Sequence, residues 1–202
     1  MSNRVTALFI HPVKSVAPVP LNEARVEPQG LSGDRRFVVV DRDGRFVTGR
    51  TQPILTQVHA ALQEDALVLR GPEMPELRLA FDTFADDYAA VSVWRDTIEA
   101  QRCGSEVDAW FSELLGGAYR LMHFGDRSRR GTKLFPDHPL GFADGFPLLA
   151  LSDASLAALN DRLVHPVRVS NFRPNLVVSG RFPFDEDGWS RVRVGEVEFD
   201  VV

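Results

Sequence analysis

The residues best suited to chemistry in this chain of 202 residues are cations set beside strands and turns. Lys14 and Ser15 follow the apolar run Leu8 to Ile10 in "LFIHPVKS", where Pro12 breaks the strand. Arg35 stands in "SGDRRF" at the start of another apolar run, and Arg173 lies in "SNFRPNLVVSG", just ahead of Leu176 to Val178. An arginine at a strand entrance presents a rigid fork of N–H donors that matches a phosphate or carboxylate, and a lysine adds a point charge. Each charge-assisted hydrogen bond contributes about 1.5–3 kcal/mol, so three converging cations would hold an anion firmly. Spacing alone leaves the plain alternative open, that each is a solvated loop residue.

Other chemistry finds less support. His11, His59, His123, His138 and His165 are scattered, with no His-x-x-x-His or Cys-x-x-Cys spacing, so no metal site is expected from them. Cys103, the single cysteine, precedes a predicted helix start at which a thiol can become reactive. With no histidine near it in sequence, it reads instead as a small apolar residue at a strand-to-helix junction. The basic run Arg127, Arg129, Arg130 and Lys133 reads as a solvated loop, with docking of an acidic partner as the alternative. A net charge of −5 argues against a general nucleic-acid binder, although it does not exclude a local basic pocket.

The elements that must position these residues are mostly short strands. Asp43-Gly44 supplies a tight turn between Phe37–Val40 and Phe46–Val47. Leu67 and Leu69 before a Gly-Pro break answer Leu77 and Leu79 after it, and "AVSVWRDTIEAQRC" forms another pair about Arg95-Asp96. In "GSEVDAWFSELLGG", by contrast, Val107, Trp110, Phe111, Leu114 and Leu115 share one face of a helix. Ser105 and Asp108 have capping-box spacing there, and Gly116-Gly117 ends the helix. A second helix is expected with Ser152 as N-cap, a staple between Leu151 and Leu156, and a buried stripe of Leu156, Leu159 and Leu163. A last hairpin turns about Gly195-Glu196, and the chain stops inside its second strand, which reads as a sequence cut short. The fold class expected is mixed α/β, mainly β, with barrel-like packing of the strands.

Composition is that of a globular protein, 44% apolar and 25% charged. One cysteine permits no intrachain disulfide and fits a reducing compartment. With no signal-peptide run at the N-terminus and no apolar stretch of spanning length, a cytoplasmic protein with no membrane partner is expected.

The segment "LFIHPVKSVAPVPLNEARVEPQGLSGDRRFVVVDRDGRFVTGRTQP" resembles the N-terminal β-barrel module of MOSC-domain proteins, which include the mitochondrial amidoxime-reducing components and their bacterial relatives. "GFADGFPLLALSDASLAALNDRL" followed by "VRVSNFRPNLVVSG" resembles the opening of the MOSC domain itself. The resemblance implies an N-terminal barrel module over residues 1–120 and an incomplete MOSC domain over residues 121–202. It implies a molybdenum cofactor, a pterin with an anionic phosphate end, held by Lys14, Ser15, Arg35 and Arg173, with Asp144 lining the same pocket. Pyridoxal phosphate binding is a further expectation that the resemblance carries. The activity implied is reduction of N-hydroxylated substrates with electrons from a partner reductase. In the family the thiolate that ligates molybdenum follows the segment matching "GEVEFDVV", where this sequence stops, and Cys103 does not take its place. No residue of this chain is therefore expected as a metal ligand or a catalytic proton donor. A non-catalytic cofactor- or protein-binding module is the alternative.

Overall fold

The structure, a computed structural model, describes residues 4–202. The strand Val5–Ile10 lies inside a four-stranded sheet, antiparallel to Val19–Leu21 on one side and to Leu176–Val178 on the other. Leu176–Val178 pairs in parallel with Ala150–Ser152, which feeds directly into a helix. One end of the chain is thus woven into the sheet of the other, so residues 5–21 and 150–178 share their backbone hydrogen bonds.

A second sheet runs Phe37–Asp41, Tyr119–His123, Asp96–Arg102 and Tyr88–Val93, antiparallel throughout. Its strand Phe37–Asp41 is apolar at four successive positions because both of its faces are covered. Phe37 and Val39 enter a core with Leu55, Leu67, Leu69 and Leu121, while Val38 and Val40 enter another with Ile98, Met122 and Phe142. The strands Ala66–Arg70 and Leu77–Ala80 pair Leu67 with Leu79 and Leu69 with Leu77, as their spacing predicts. The fold is mainly β, with α1 (Ser105–Leu115) and α2 (Asp153–Asn160) its two α-helices among the described residues.

Closure differs from the barrel-like expectation. Among the described residues the sheets remain open, and none returns to pair its last strand with its first. A closed barrel needs a continuous ring of staggered partners. Here pairs such as Val26–Glu27 with Gly30–Leu31, and Arg191–Val194 with Val197–Asp200, stand as separate two-stranded pieces.

Helix α1 buries Val107, Trp110, Phe111 and Leu115, and Gly116 ends it at φ 69°, in the left-handed region where glycine is free of strain. Its start differs from the expected capping box. Gly104 is the N-cap and no side chain caps the helix, because the Asp108 carboxylate accepts from the Leu121 backbone N–H at 3.0 Å instead. The carboxylate thus ties the helix to the strand it packs on. In α2 the Ser152 hydroxyl caps as expected, accepting from the Ser155 N–H at 3.0 Å. The buried leucine stripe fails, however. Leu156 and Leu159 are half-buried and Leu163 is 39% exposed. The helix stops at Asn160, whose side chain bonds both the N–H and the carbonyl of Val167, so Leu163 falls in the loop thus closed.

The run 127–133 is not uniformly solvated either. Arg130 is only 5% exposed at its side chain, paired with Asp96 at 2.7 Å and donating to the carbonyls of Gly141, Ala143 and Asp144. It fastens the 141–144 loop rather than meeting solvent. No helix among the described residues is long and apolar enough to cross a membrane.

Candidate functional site

Lys14 is placed by a backbone bridge. Its N–H donates to the Phe37 carbonyl at 2.8 Å, and the Phe37 N–H donates to the Pro12 carbonyl at 3.0 Å. Proline at 12 releases the chain from the sheet, and this bridge then turns Lys14 inward to 7% exposure. Its ammonium donates to the Phe142 carbonyl at 2.8 Å and to Asp144 Oδ1 at 2.6 Å. Two of its three N–H groups are thereby used, and one remains. Burial pulls the Lys14 pKa below the usual lysine range, and Asp144 opposes that shift. Burial would raise the Asp144 pKa, but the Lys14 charge, with hydrogen bonds from Lys14 and Trp94 Nε1, holds it below the usual carboxylate range.

Arg35 is placed by hydrogen bonds to the same strand end. Its N–H donates to the His11 carbonyl at 2.8 Å, and the His11 N–H donates to buried Asp34 at 2.7 Å. The Arg35 guanidinium pairs with Asp34 and donates to Asn175 Oδ1 at 3.0 Å and to the Arg173 carbonyl at 2.9 Å. Asn175 in turn donates to the Phe9 carbonyl at 3.2 Å and accepts from the Leu149 N–H at 3.2 Å. Burial, together with Arg173 and Arg35, pulls the His11 pKa down to about 3, so the ring is neutral. Its Nε2–H then donates to the Pro174 carbonyl at 3.3 Å. Two contacts in this set grip the backbone of 173–175 directly, Arg35 at the Arg173 carbonyl and His11 at the Pro174 carbonyl, and Arg35 and the Leu149 N–H hold the Asn175 side chain.

The backbone of Arg173 is held, but its side chain is not. Arg173 Nη2 is buried with no hydrogen-bond partner, a costly state for a donor unless a ligand completes it. Burial and the nearby Arg35 push the Arg173 pKa down to about 10, which leaves it a cation at neutral pH. Arg173 also sits at φ 56°, Arg35 at φ 48° and Ser15 at φ 71°. Non-glycine residues in the left-handed region store strain, and the hydrogen bonds above hold two of these three there.

Lys14, Ser15, Arg35, Asp144 and Arg173 all line one open cleft of about 890 Å³. The three cations converge, although residues 14, 35 and 173 are far apart in sequence. The structure adds lining residues that spacing did not reveal, among them Arg50, Trp94, Arg168 and Asn175. Asn175 belongs to the same Asn-Phe-Arg-Pro-Asn run as Arg173, which is the one signal that could have found it. Arg50 and Trp94 lie in turns, where no periodicity marks a residue as facing a cleft.

Cys103 is buried in the core that α1 covers and does not line the cleft, and burial raises its pKa well above the ordinary thiol value. Among the described residues no group of three or more His, Cys, Asp or Glu is arranged to hold a metal ion. The donor set therefore fits the anionic part of a ligand: a buried unpaired guanidinium, a lysine N–H left free and room for a large molecule.

Residues 2–118 match the family model of the MOSC N-terminal beta barrel domain, and residues 137–202 match that of the MOSC domain. The chain is 36% identical to mitochondrial amidoxime reducing component 2 of Bos taurus, over 96% of this chain and 61% of that protein. It is 35% identical to the component 2 of Homo sapiens, over 96% of this chain and 62% of that protein. With the mitochondrial amidoxime-reducing component 1 of Homo sapiens it shares 36% identity, over 96% of this chain and 61% of that protein. The chain thus spans about six tenths of the length of the curated relatives it matches.

Proposed function

The chain belongs to the MOSC family, with its N-terminal barrel domain, and on that premise we propose that its cleft holds a molybdenum-bearing pterin cofactor in an enzyme that reduces N-hydroxylated compounds. The observation that carries this reading is the buried, unpartnered Arg173 guanidinium facing a cleft that Lys14 also enters. Arg173 and Lys14 bind the anionic end of the cofactor. Ser15 offers a hydroxyl beside them, and Asp144 orients the Lys14 ammonium. Arg35 holds the turn that aims Arg173, and its guanidinium, with two of its five N–H groups uncommitted, adds positive charge to the same cleft. Bound molybdenum supplies the two-electron reduction, with electrons delivered by a partner reductase. Pyridoxal phosphate finds no support among these relatives.

The test is the content of the purified protein after production in a host that makes the cofactor. Near-stoichiometric molybdenum and pterin are expected. Arg173→Ala and Lys14→Ala each lower pterin content at least about tenfold, the loss of one charged hydrogen bond. Unchanged content in both variants overturns the site. A second reading, a cofactor-binding module without catalysis, is favoured by the burial of Cys103 away from the cleft. Pterin without molybdenum or activity would select it.

A further inference from the structure

The outer half of the cleft carries features that holding one anionic group does not require. Trp94 is the first of the two residues linking paired Val93 and Asp96, and it stands at φ 55°. A bulky aromatic residue is strained at that angle, where glycine would be free. It is nonetheless fixed: its indole N–H donates to Asp144 Oδ1 at 2.8 Å, and its ring meets the Phe46 ring edge-on at 4.9 Å. The indole still lies 51% exposed, lining the cleft. Arg50 sits 5.8 Å from that ring, on a turn closed by the Thr48 and Thr51 hydroxyls.

Charge in the cleft is one-sided. Lys14, Arg35, Arg50, Arg168 and Arg173 line it against the single carboxylate of Asp144, which Lys14 already engages. Among the described residues no carboxylate lies at ion-pair distance from Arg50, Arg168 or Arg173. Two of these, Arg50 and Arg168, are solvent-facing residues from the two halves of the chain that line the same cleft. A protein of net charge −5 has thus gathered unpaired positive charge beside an exposed, rigidly held aromatic face.

We propose that Trp94, with Arg50 and Arg168, forms a substrate subsite that selects a planar aromatic ring bearing an acidic group and turns away cationic ligands. This rests on the reading of the inner cleft as the cofactor's anion site. The ring lies on the indole, an arrangement that tolerates many ring systems because each presents a π-face. The acidic group meets the two arginines. A cation such as an amidinium gains the stack but meets like charge, since Asp144 is already neutralised.

Three tryptophans give three indole N–H resonances, and the Trp94 signal is assigned from its loss in a variant. The full chain is titrated with benzoate, benzamidine and acetate in excess orthophosphate, which fills the inner donors. Benzoate is expected to shift the Trp94 signal and to bind at least about tenfold more tightly than acetate or benzamidine, the worth of one ring stack or one charged contact. Trp94→Gly loses the indole bond to Asp144 and the Phe46 contact, but relief of the strain at φ 55° offsets these, so it stays folded with a cooperative melt, yet loses benzoate affinity about tenfold. Arg50→Ala combined with Arg168→Ala erases the preference for benzoate over benzamidine. Equal binding of benzamidine and benzoate by the parent, or unchanged benzoate affinity in Trp94→Gly, overturns the subsite. Failure of the inner site shows separately, as orthophosphate binding that Arg173→Ala leaves unaltered.

Discussion

Arg35 and Arg173 are the same residue type in the same cleft with opposite surroundings, and that difference separates holding a fold from holding a ligand. The Arg35 guanidinium answers buried Asp34, the Asn175 side chain and the Arg173 carbonyl. The Arg173 guanidinium has a buried nitrogen that nothing answers. Removing one partner of a buried ion pair leaves the other charge uncompensated, so Arg35→Ala is expected to lower stability by about 3 kcal/mol. Arg173→Ala breaks no pair and removes the desolvation of a buried guanidinium, while its Cβ keeps the backbone at φ 56° as strained as before, so its stability should stay within about 1 kcal/mol of the parent. Urea denaturation of the ligand-free protein checks both. A loss in Arg173→Ala as large as that in Arg35→Ala would mean that Arg173 is structural.

At the scale of elements, the two helices show that a capping signal in sequence competes with tertiary partners. Ser152 caps α2 because the strand Ala150–Ser152 leads straight into the helix and leaves the serine in extended backbone at φ −89°. Ser105 does not cap α1, since Gly104 takes the turn and Asp108 is drawn to Leu121. Ser152→Ala should therefore cost about 1 kcal/mol, and Ser105→Ala no more than about 0.5 kcal/mol. Asp108→Ala should cost about 1–2 kcal/mol by leaving the Leu121 N–H unpaired. Melting temperatures of the three variants test the order. A Ser105→Ala loss equal to that of Ser152→Ala would restore the capping box.

For the whole molecule the decisive feature is the strand Val5–Ile10, which lies between Leu176–Val178 and Val19–Leu21. The segment that carries Arg173 is seated against the segment that carries Lys14, so the cleft exists only when both ends of the chain are folded together. Residues 121–202 alone would expose the edge that Val5–Ile10 covers, together with buried Leu176, Val177 and Val178. Expressed separately, that segment is expected to show the narrow amide dispersion of an unfolded chain. A dispersed, native-like spectrum would make the interleaved sheet dispensable.

Much was legible in the sequence because local physics acts at short range. The α1 face of Val107, Trp110 and Phe111, the hairpin pairing of Leu67 with Leu79, and the Gly116 stop each follow from spacing or backbone freedom within a few residues. The cations at strand entrances were visible too, as residue types in exposed-looking motifs. Their convergence was not, because it depends on strand pairing between positions some 170 residues apart, as between Leu8 and Leu176. The depth of α2 burial, the openness of the sheets and the turn of Trp94 into the cleft are likewise long-range outcomes. The sequence by itself determined which groups could meet an anion. Tertiary structure alone decided that they meet, which of them is left unpaired, and which aromatic face stands beside them, since burial and pairing are properties of neighbours brought together in space.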